Sequence, residues 1–301
     1  MGKFKYHFLM HIIILVWGFT GILGKLIMLP AEILVWYRVL IATIGLIVLL
    51  PLFKVSFRLE RKKDLWKLIF VGIITSLHWV TFYKAIALST ASLGVLCLST
   101  TTLHVSWLDP LIMKRRISWL EVLFGLLVIY GIYFVSSDFN PEEYEALAYG
   151  LTSALLAGIF SVSNAKLVQT IPSAQITLYE MTSGMMFLTV VLLFSNQLNV
   201  EELKMTSTDF WWLLFLGIAC TSLPFMLMID VVKQLGAFTS SLTINLEPIY
   251  TIILAILILN EDQILGRKFY IGATMIIFVV IANAVVKAKM RQKQTKRELK
   301  T

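Results

Sequence analysis

Residues 64–73 read Asp-Leu-Trp-Lys-Leu-Ile-Phe-Val-Gly-Ile, and residues 209–218 read Asp-Phe-Trp-Trp-Leu-Leu-Phe-Leu-Gly-Ile. Six of the ten positions are identical, and Asp, Trp and Gly hold their register where apolar composition alone would not keep them. One residue out of that register, Thr75-Ser76-Leu77 answers to Thr221-Ser222-Leu223. Further out, Tyr37-Arg38 answers to Tyr179-Glu180, and Gly125 to Gly272. The pattern predicts a chain made of two copies of one unit.

Composition says what surrounds that unit. Of 301 residues, 58% belong to the AVILMFWYC set and only 15% are charged. Too few polar side chains exist to coat a water-soluble globule of this length, which excludes a soluble enzyme. Apolar runs of spanning length fall near 8–25, 33–53, 68–88, 93–113, 119–136, 146–165, 174–194, 210–229, 235–259 and 269–286. The expected fold is therefore an all-α integral membrane protein with ten transmembrane helices. The runs are continuous rather than alternating, and a lipid core leaves no water for open backbone groups. The first run has no small-residue cleavage site and stops at Lys25, so it is expected to be a retained span. Cys97 and Cys220 lie inside apolar runs and imply no disulfide framework.

The loops alternate in charge. Lys3 and Lys5 precede the first run, Lys54, Arg58, Arg61, Lys62, Lys63 and Lys67 fill the second loop, and Lys114, Arg115 and Arg116 fill the fourth. With Lys166, Lys233 and seven cations after residue 286, 20 of the 26 basic residues fall on one side. The other side carries Asp138, Glu142, Glu143, Glu145, Glu201, Glu202 and Asp209. The positive-inside rule then places both termini in the cytoplasm. On this reading the net charge of +8 is a topology signal with membrane lipids as partners, and no nucleic-acid partner is expected.

The repeat divides the chain into a first five-helix unit at 1–138, a second at 146–288, and a basic cytoplasmic tail at 289–301. Five is odd, so the second copy must enter the membrane upside down. Inverted copies have two near-equivalent arrangements, one open to each side, which predicts alternating access around a site near the midplane.

The ten-helix plan, Trp17-Gly18, Ala-Leu-Ser-Thr-Ala-Ser-Leu-Gly at 87–94, and Asn-Leu-Glu-Pro-Ile-Tyr at 245–250 with Glu261 downstream resemble the EamA group of the drug/metabolite transporter superfamily. That resemblance implies a bacterial inner-membrane carrier, in many cases an exporter of amino acids and other small metabolites. Family members often carry a proline and a terminal acid in the fourth helix too. Here Thr102 matches Pro248, and the position matching Glu261 falls beside Lys114, although Asp109-Pro110 would serve in a shorter helix.

Ionisable groups inside spans cost roughly 2.5–3.5 kcal/mol each on insertion scales, so each needs a reason. Arg38 and Glu180 occupy matching positions in the second and seventh helices, and Lys84 matches Asp230. The repeat thus sets cations in the outer half against anions in the inner half. Arg38 is the candidate for a substrate carboxylate, and Glu180 for an amine or a proton. Internal ion pairing is the competing reading, with Lys84 and Asp230 reaching for the interface. In the ninth helix Ser240, Thr243, Glu247 and Thr251 form one polar face at helical spacing, kinked by Pro248. Glu247 sits mid-span as a substrate or proton-coupling residue, and Asn245 points elsewhere on an ideal helix. The matching face of the fourth helix carries Thr101 and His104. His78, Trp79 and Tyr83 of the third helix, with Trp17, complete the candidate set. His78 is also a candidate for proton coupling, against the commoner role of a hydrogen-bonded packing histidine.

Other chemistries find little support. Residues 18–25 imitate a phosphate loop, but with wrong glycine spacing and Leu26 where Ser or Thr is required. His7 and His11 lack a third ligand, so no metal is expected, and no cofactor motif occurs. No zincin or serine-hydrolase motif appears, which leaves lipid-modifying chemistry as the lesser alternative. A secondary transporter of small amphipathic, amino-acid-like solutes is the leading reading, with a proton-coupled importer or a metabolite exchanger as alternatives. Lipid-facing and partner-facing surfaces share a composition, so no oligomeric state follows from the sequence.

Overall fold

The computed structural model describes residues 2–114, 118–136, 139–244 and 246–298, less the side chains of 2–3, 121, 229–230, 232–233, 236–242, 284 and 287–298. Helices α1 (Gly2–Leu26), α2 (Ala31–Leu52) and α3 (Leu65–Leu88) are followed by α4 (Ala91–Ser99) and α5 (Thr101–Met113), then α6 (Trp119–Val135). Helices α7 (Pro141–Leu167) and α8 (Ser173–Phe194) lead to α9 (Ser207–Leu214), a π-helical segment (Phe215–Ser222) and α10 (Leu223–Ile244). Helices α11 (Glu247–Leu259) and α12 (Arg267–Glu298) complete the chain. No strand occurs among the described residues.

Among the described residues, seven helical stretches are long and apolar enough to cross a membrane: 4–26, 31–52, 62–88, 91–113, 141–167, 173–194 and 207–228. Val122–Val135 and Glu247–Leu259 are shorter apolar helices. The molecule is an all-helical integral membrane protein. Large apolar side chains on its outside, among them Leu111, Leu257 and Phe278, would be costly in water and are at home in lipid.

One expectation needs correction and two gain detail. The span expected at 93–113 runs over 91–113, and a turn at Thr100 divides it into two helices. The freed carbonyls there are taken by hydroxyls: Thr100 Oγ1 donates to Cys97 O (2.6 Å) and Thr102 Oγ1 to Ser99 O (3.0 Å). The expected boundary between 229 and 235 is absent, since helical backbone runs to Ile244 and the chain turns at Leu246 instead. Pro248, at the start of α11, has no N–H to continue the ladder, so the break belongs there. The tail beyond 288 is helical as far as Glu298, continuous with α12.

Helices pack in definite pairs. Helix α3 lies against α7 and α8, α2 against α8 and the π segment, α1 against α10 and α11, α4 against α7 and α11, and α6 against α12. The largest core joins α1, α2, α3, α8, the π segment and α11 around Leu23, Leu34, Val39, Tyr83, Met181 and Leu216. Close approach needs glycine at two of these crossings. A Cβ on Gly72 would lie 2.5 Å from Glu180 O, and one on Gly217 would lie 2.6 Å from Ile41 Cγ2 and 3.3 Å from Arg38 O. In the α6–α12 contact Gly131 faces Gly272.

One end of the bundle is fastened by polar contacts. Asp209 Oδ1 accepts from Met28 N (2.9 Å), Lys84 Nζ pairs with Glu32 Oε1 (2.6 Å), and Glu261 accepts from Ala91 N (2.7 Å) and Ser92 N (3.0 Å). Lys84 is thus an ion-pair partner at the rim. At the opposite, basic end the α2–α3 loop meets the start of α8, where Tyr179 OH donates to Phe57 O (3.0 Å).

Candidate functional site

A cavity of about 380 Å³ lies in the middle of the bundle. Both helix breaks reach it, Ser99, Thr101 and Thr102 from the α4–α5 turn and Glu247 and Pro248 from the start of α11. Discontinuous helices of this kind bring backbone polar groups and helix termini to membrane depth, where only a protein-lined cavity tolerates them. Trp17 and Thr20 from α1, Arg38 from α2, and Thr75, His78, Trp79 and Phe82 from α3 form another wall. The pocket is mostly apolar with a few convergent polar groups, the usual make-up of a small-molecule site.

Arg38 is the most constrained of these groups. Its side chain is buried, with the guanidinium carbon 3.7 Å from the Trp79 ring centroid, a cation–π stack. Nε donates to Thr221 Oγ1 (3.1 Å) and Nη1 to Tyr83 OH (3.2 Å), which in turn donates to Thr20 O (3.4 Å). No carboxylate pairs with Arg38 among the described residues. The cation is oriented by neutral partners.

Thr221 reaches Arg38 because of the π segment. In α3, Thr75 Oγ1 donates to Val71 O (2.8 Å) and Ser76 Oγ to Gly72 O (2.9 Å), four residues back. In the matching stretch Thr221 Oγ1 donates to Leu216 O (2.8 Å) and Ser222 Oγ to Gly217 O (2.9 Å), five residues back. The second copy holds one more residue between its Gly and its Thr-Ser pair than the first. A single insertion in a helix is absorbed as a π-bulge, a feature frequent at functional sites. The one-residue slip in the alignment was its sequence signal.

Glu247 also lines the cavity. It makes no ion pair among the described residues, and it opens α11, where the N-terminal end of the helix favours negative charge. The rest of its expected polar face serves packing. Thr251 is buried and donates to Gly18 O (3.0 Å), fixing α11 on α1. Thr243 lies outside the cavity lining, and the side chain of Ser240, like those of Asp230 and Asn245, lies outside the described residues.

His78 joins the cavity to a structural tie. Its Nδ1 lies 3.0 Å from Ser153 O and 2.8 Å from Ser153 Oγ, while Ser153 Oγ donates to His78 O (2.9 Å). A carbonyl only accepts, so the network assigns the Nδ1 proton in the neutral ring and leaves Nε2 as an acceptor. Thr101 Oγ1 donates to Ala154 O (3.3 Å) on the same helix, α7.

Besides Thr243, three expected residues stand apart from the cavity lining. Tyr83 acts behind Arg38. His104 sits further along α5, its Cβ 3.0 Å from where a Gly158 Cβ would be, with its ring edge-on to Trp107. Glu180 is buried between α8, α3 and α7, where Oε2 accepts from Asn164 Nδ2 (3.3 Å). Its Oε1 and Asn164 Oδ1 are both buried without a partner. Both are acceptors, and a proton on the carboxyl would supply the donor this pair lacks. Sequence reasoning missed Thr221 and the Glu261 clamp. Nothing in the local sequence around Glu261 names the helix terminus that it caps.

The bundle and its central chamber define a multi-pass membrane protein with a small-molecule-sized internal site. The sequence profile described as the EamA-like transporter family matches residues 4–137 and again residues 145–285, and the chain belongs to that family. It is similar to a protein of Bacillus subtilis (strain 168) named "Uncharacterized transporter YcbK", with 27% identity over 188 residues. That match covers 60% of this chain and 59% of the relative's length. A solved structure, described only as the crystal structure of a protein, superposes with a TM-score of 0.65 at 14% identity, over 95% of this chain and 99% of the other. At that identity the likeness concerns the fold alone.

Proposed function

We propose that this protein is a secondary transporter that moves small, amino-acid-like solutes across the bacterial inner membrane by alternating access, in the export direction. The observation that carries the reading is the central chamber, in which Arg38 and Glu247 both line the wall and neither is paired with an opposite charge among the described residues. Two groups of opposite charge type, neither in an ion pair among the described residues, around about 380 Å³ suit a zwitterion, its carboxylate on Arg38 and its ammonium on Glu247. Trp79, Phe82 and Trp17 give an apolar body somewhere to lie.

The architecture in this proposal is ten spans in two inverted five-helix units, 1–138 and 146–288, with both termini cytoplasmic and the eighth span continuing as helix into the ninth. Its support comes from contacts that recur in pairs. Gly72 against Glu180 mirrors Gly217 against Arg38. Tyr179 OH on Phe57 O mirrors Tyr37 OH on Leu203 O. The turn at Thr100 mirrors the turn at Leu246, and left-handed Lys114 after α5 mirrors left-handed Asn260 after α11. An equivalence of this kind lets each half adopt the arrangement of the other, which is what alternating access requires.

The test is counterflow in proteoliposomes with a mixed amino-acid pool, comparing wild type with Arg38→Ala and Glu247→Gln. Both variants are expected to lose exchange while reconstituting normally. Unchanged exchange in both would mean that the two charges are structural.

A further inference from the structure

A second cavity, of about 520 Å³, opens at the basic end of the bundle, between the loop after α2 and the turn joining α7 to α8. Arg58, Arg61 and Lys62 line it, with Glu60 and Asp64. The anions do not cancel the cations. Asp64 is already paired with Lys67 (2.6 Å), which stands outside the lining, and Arg61 Nε approaches it at 3.8 Å. Arg58 and Lys62 make no ion pair among the described residues.

A basic loop is ordinarily mobile, but this one is held by its backbone. Gln175 Nε2 donates to Ser56 O (2.7 Å) and Arg58 O (3.3 Å), and Tyr179 OH donates to Phe57 O. Three successive carbonyls are thereby fastened to α8, and Arg58 N is held by Ser56 Oγ (3.1 Å). The cations start from fixed points, so less ordering entropy opposes binding of an anion.

The cavity also lies at a particular depth. Helices α2 and α7 end beside it, and α3 and α8 begin there. Trp66, 75% exposed at the start of α3, suits the aromatic belt at a headgroup boundary. The segments that frame the cavity expose Leu52, Phe53 and Val168. A soluble anion gains nothing from such a rim, whereas a lipid does. Basic pockets of this kind between spans bind anionic headgroups.

We propose that this cavity binds the phosphodiester headgroup of an anionic phospholipid through Arg58, Arg61 and Lys62, with the exposed apolar side chains of the same segments meeting its acyl chains. The experiment uses the full chain in detergent, titrated with phosphatidylglycerol, phosphatidylcholine, glycerol phosphate or inorganic phosphate. Bound lipid is counted by native mass spectrometry and melting temperature is followed in parallel. Arg58→Gln/Lys62→Gln is compared with Lys5→Gln/Lys114→Gln, which removes the same charge elsewhere at this end. Wild type and the Lys5/Lys114 variant are expected to retain phosphatidylglycerol over phosphatidylcholine and to melt higher with it. The Arg58/Lys62 variant should bind it at least about tenfold more weakly, with an unchanged melting temperature when no lipid is added. The single variants, both on exposed side chains, give the same reading should the double not fold. Equal loss in the two doubles, equal binding of both lipids, or full protection by glycerol phosphate or inorganic phosphate would overturn the proposal.

Discussion

Arg38 shows how a buried charge is kept useful. Its partners are two hydroxyls and an aromatic face, so it is oriented without being neutralised. Thr221 is the partner that tests this. Thr221→Val keeps the shape and removes the acceptor on Nε, and a hydrogen bond to a charged group contributes roughly 1.5–3 kcal/mol. If the chamber carries carboxylate-bearing solutes, KM should rise roughly tenfold, about 1.4 kcal/mol, with the maximal rate kept. Equal loss of rate and affinity in the reconstituted variant would assign Thr221 to folding instead. Gly72 and Gly217 make a second comparison. The Cβ of Gly72→Ala meets the backbone of Glu180 at 2.5 Å, whereas that of Gly217→Ala meets Cγ2 and Cβ of Ile41 (2.6 and 2.7 Å) and reaches the Arg38 backbone only at 3.3 Å. Overpacking costs about 1–3 kcal/mol, and Gly72→Ala should show the larger fall in melting temperature.

Helix ends and interruptions set the positions of these residues. Glu261, buried beyond α11, accepts two backbone N–H groups at the start of α4, where the helix N-terminus favours its charge. Thr90 caps the same helix through Leu93 N (3.0 Å). Glu261→Gln replaces one acceptor with an NH₂ that faces a second donor, so it should be far from conservative. A loss of roughly 2–3 kcal/mol is expected, read as a lower melting temperature, and an unchanged value would show that the clamp is not needed for stability. The first copy has Arg115 where the second has Glu261, so no equivalent acceptor can be built there from the same position. The α4–α5 break is instructive in the other direction. Thr102 stands where α11 has Pro248, yet the helix turns at the equivalent place without a proline, because threonine hydroxyls satisfy carbonyls beside the turn.

At the scale of the whole molecule, the proposed coupling makes a separate prediction. If Glu247 or Glu180 carries a proton during exchange, an imposed pH gradient across proteoliposomes should drive solute accumulation, and Glu180→Gln or Glu247→Gln should abolish the drive. Flux indifferent to the gradient in wild type would leave facilitated exchange. The all-helical membrane fold was legible in the sequence, because a lipid core enforces continuous apolar helices, and the register of Asp, Trp and Gly pointed to the two stretches that the family profile matches in turn. That Arg38, Trp79, His78, Thr101 and Glu247 would line a cavity was legible as well, since polar groups at membrane depth need a reason wherever they occur. Only the tertiary structure separated Glu247 from Thr251 on one helical face, moved Glu180 out of the chamber, paired Lys84 with Glu32, and turned a one-residue insertion into the contact between Thr221 and Arg38. Hydropathy and spacing report the side chains an element carries. Which of them meet a cavity depends on the neighbouring helix, and that is set by long-range packing.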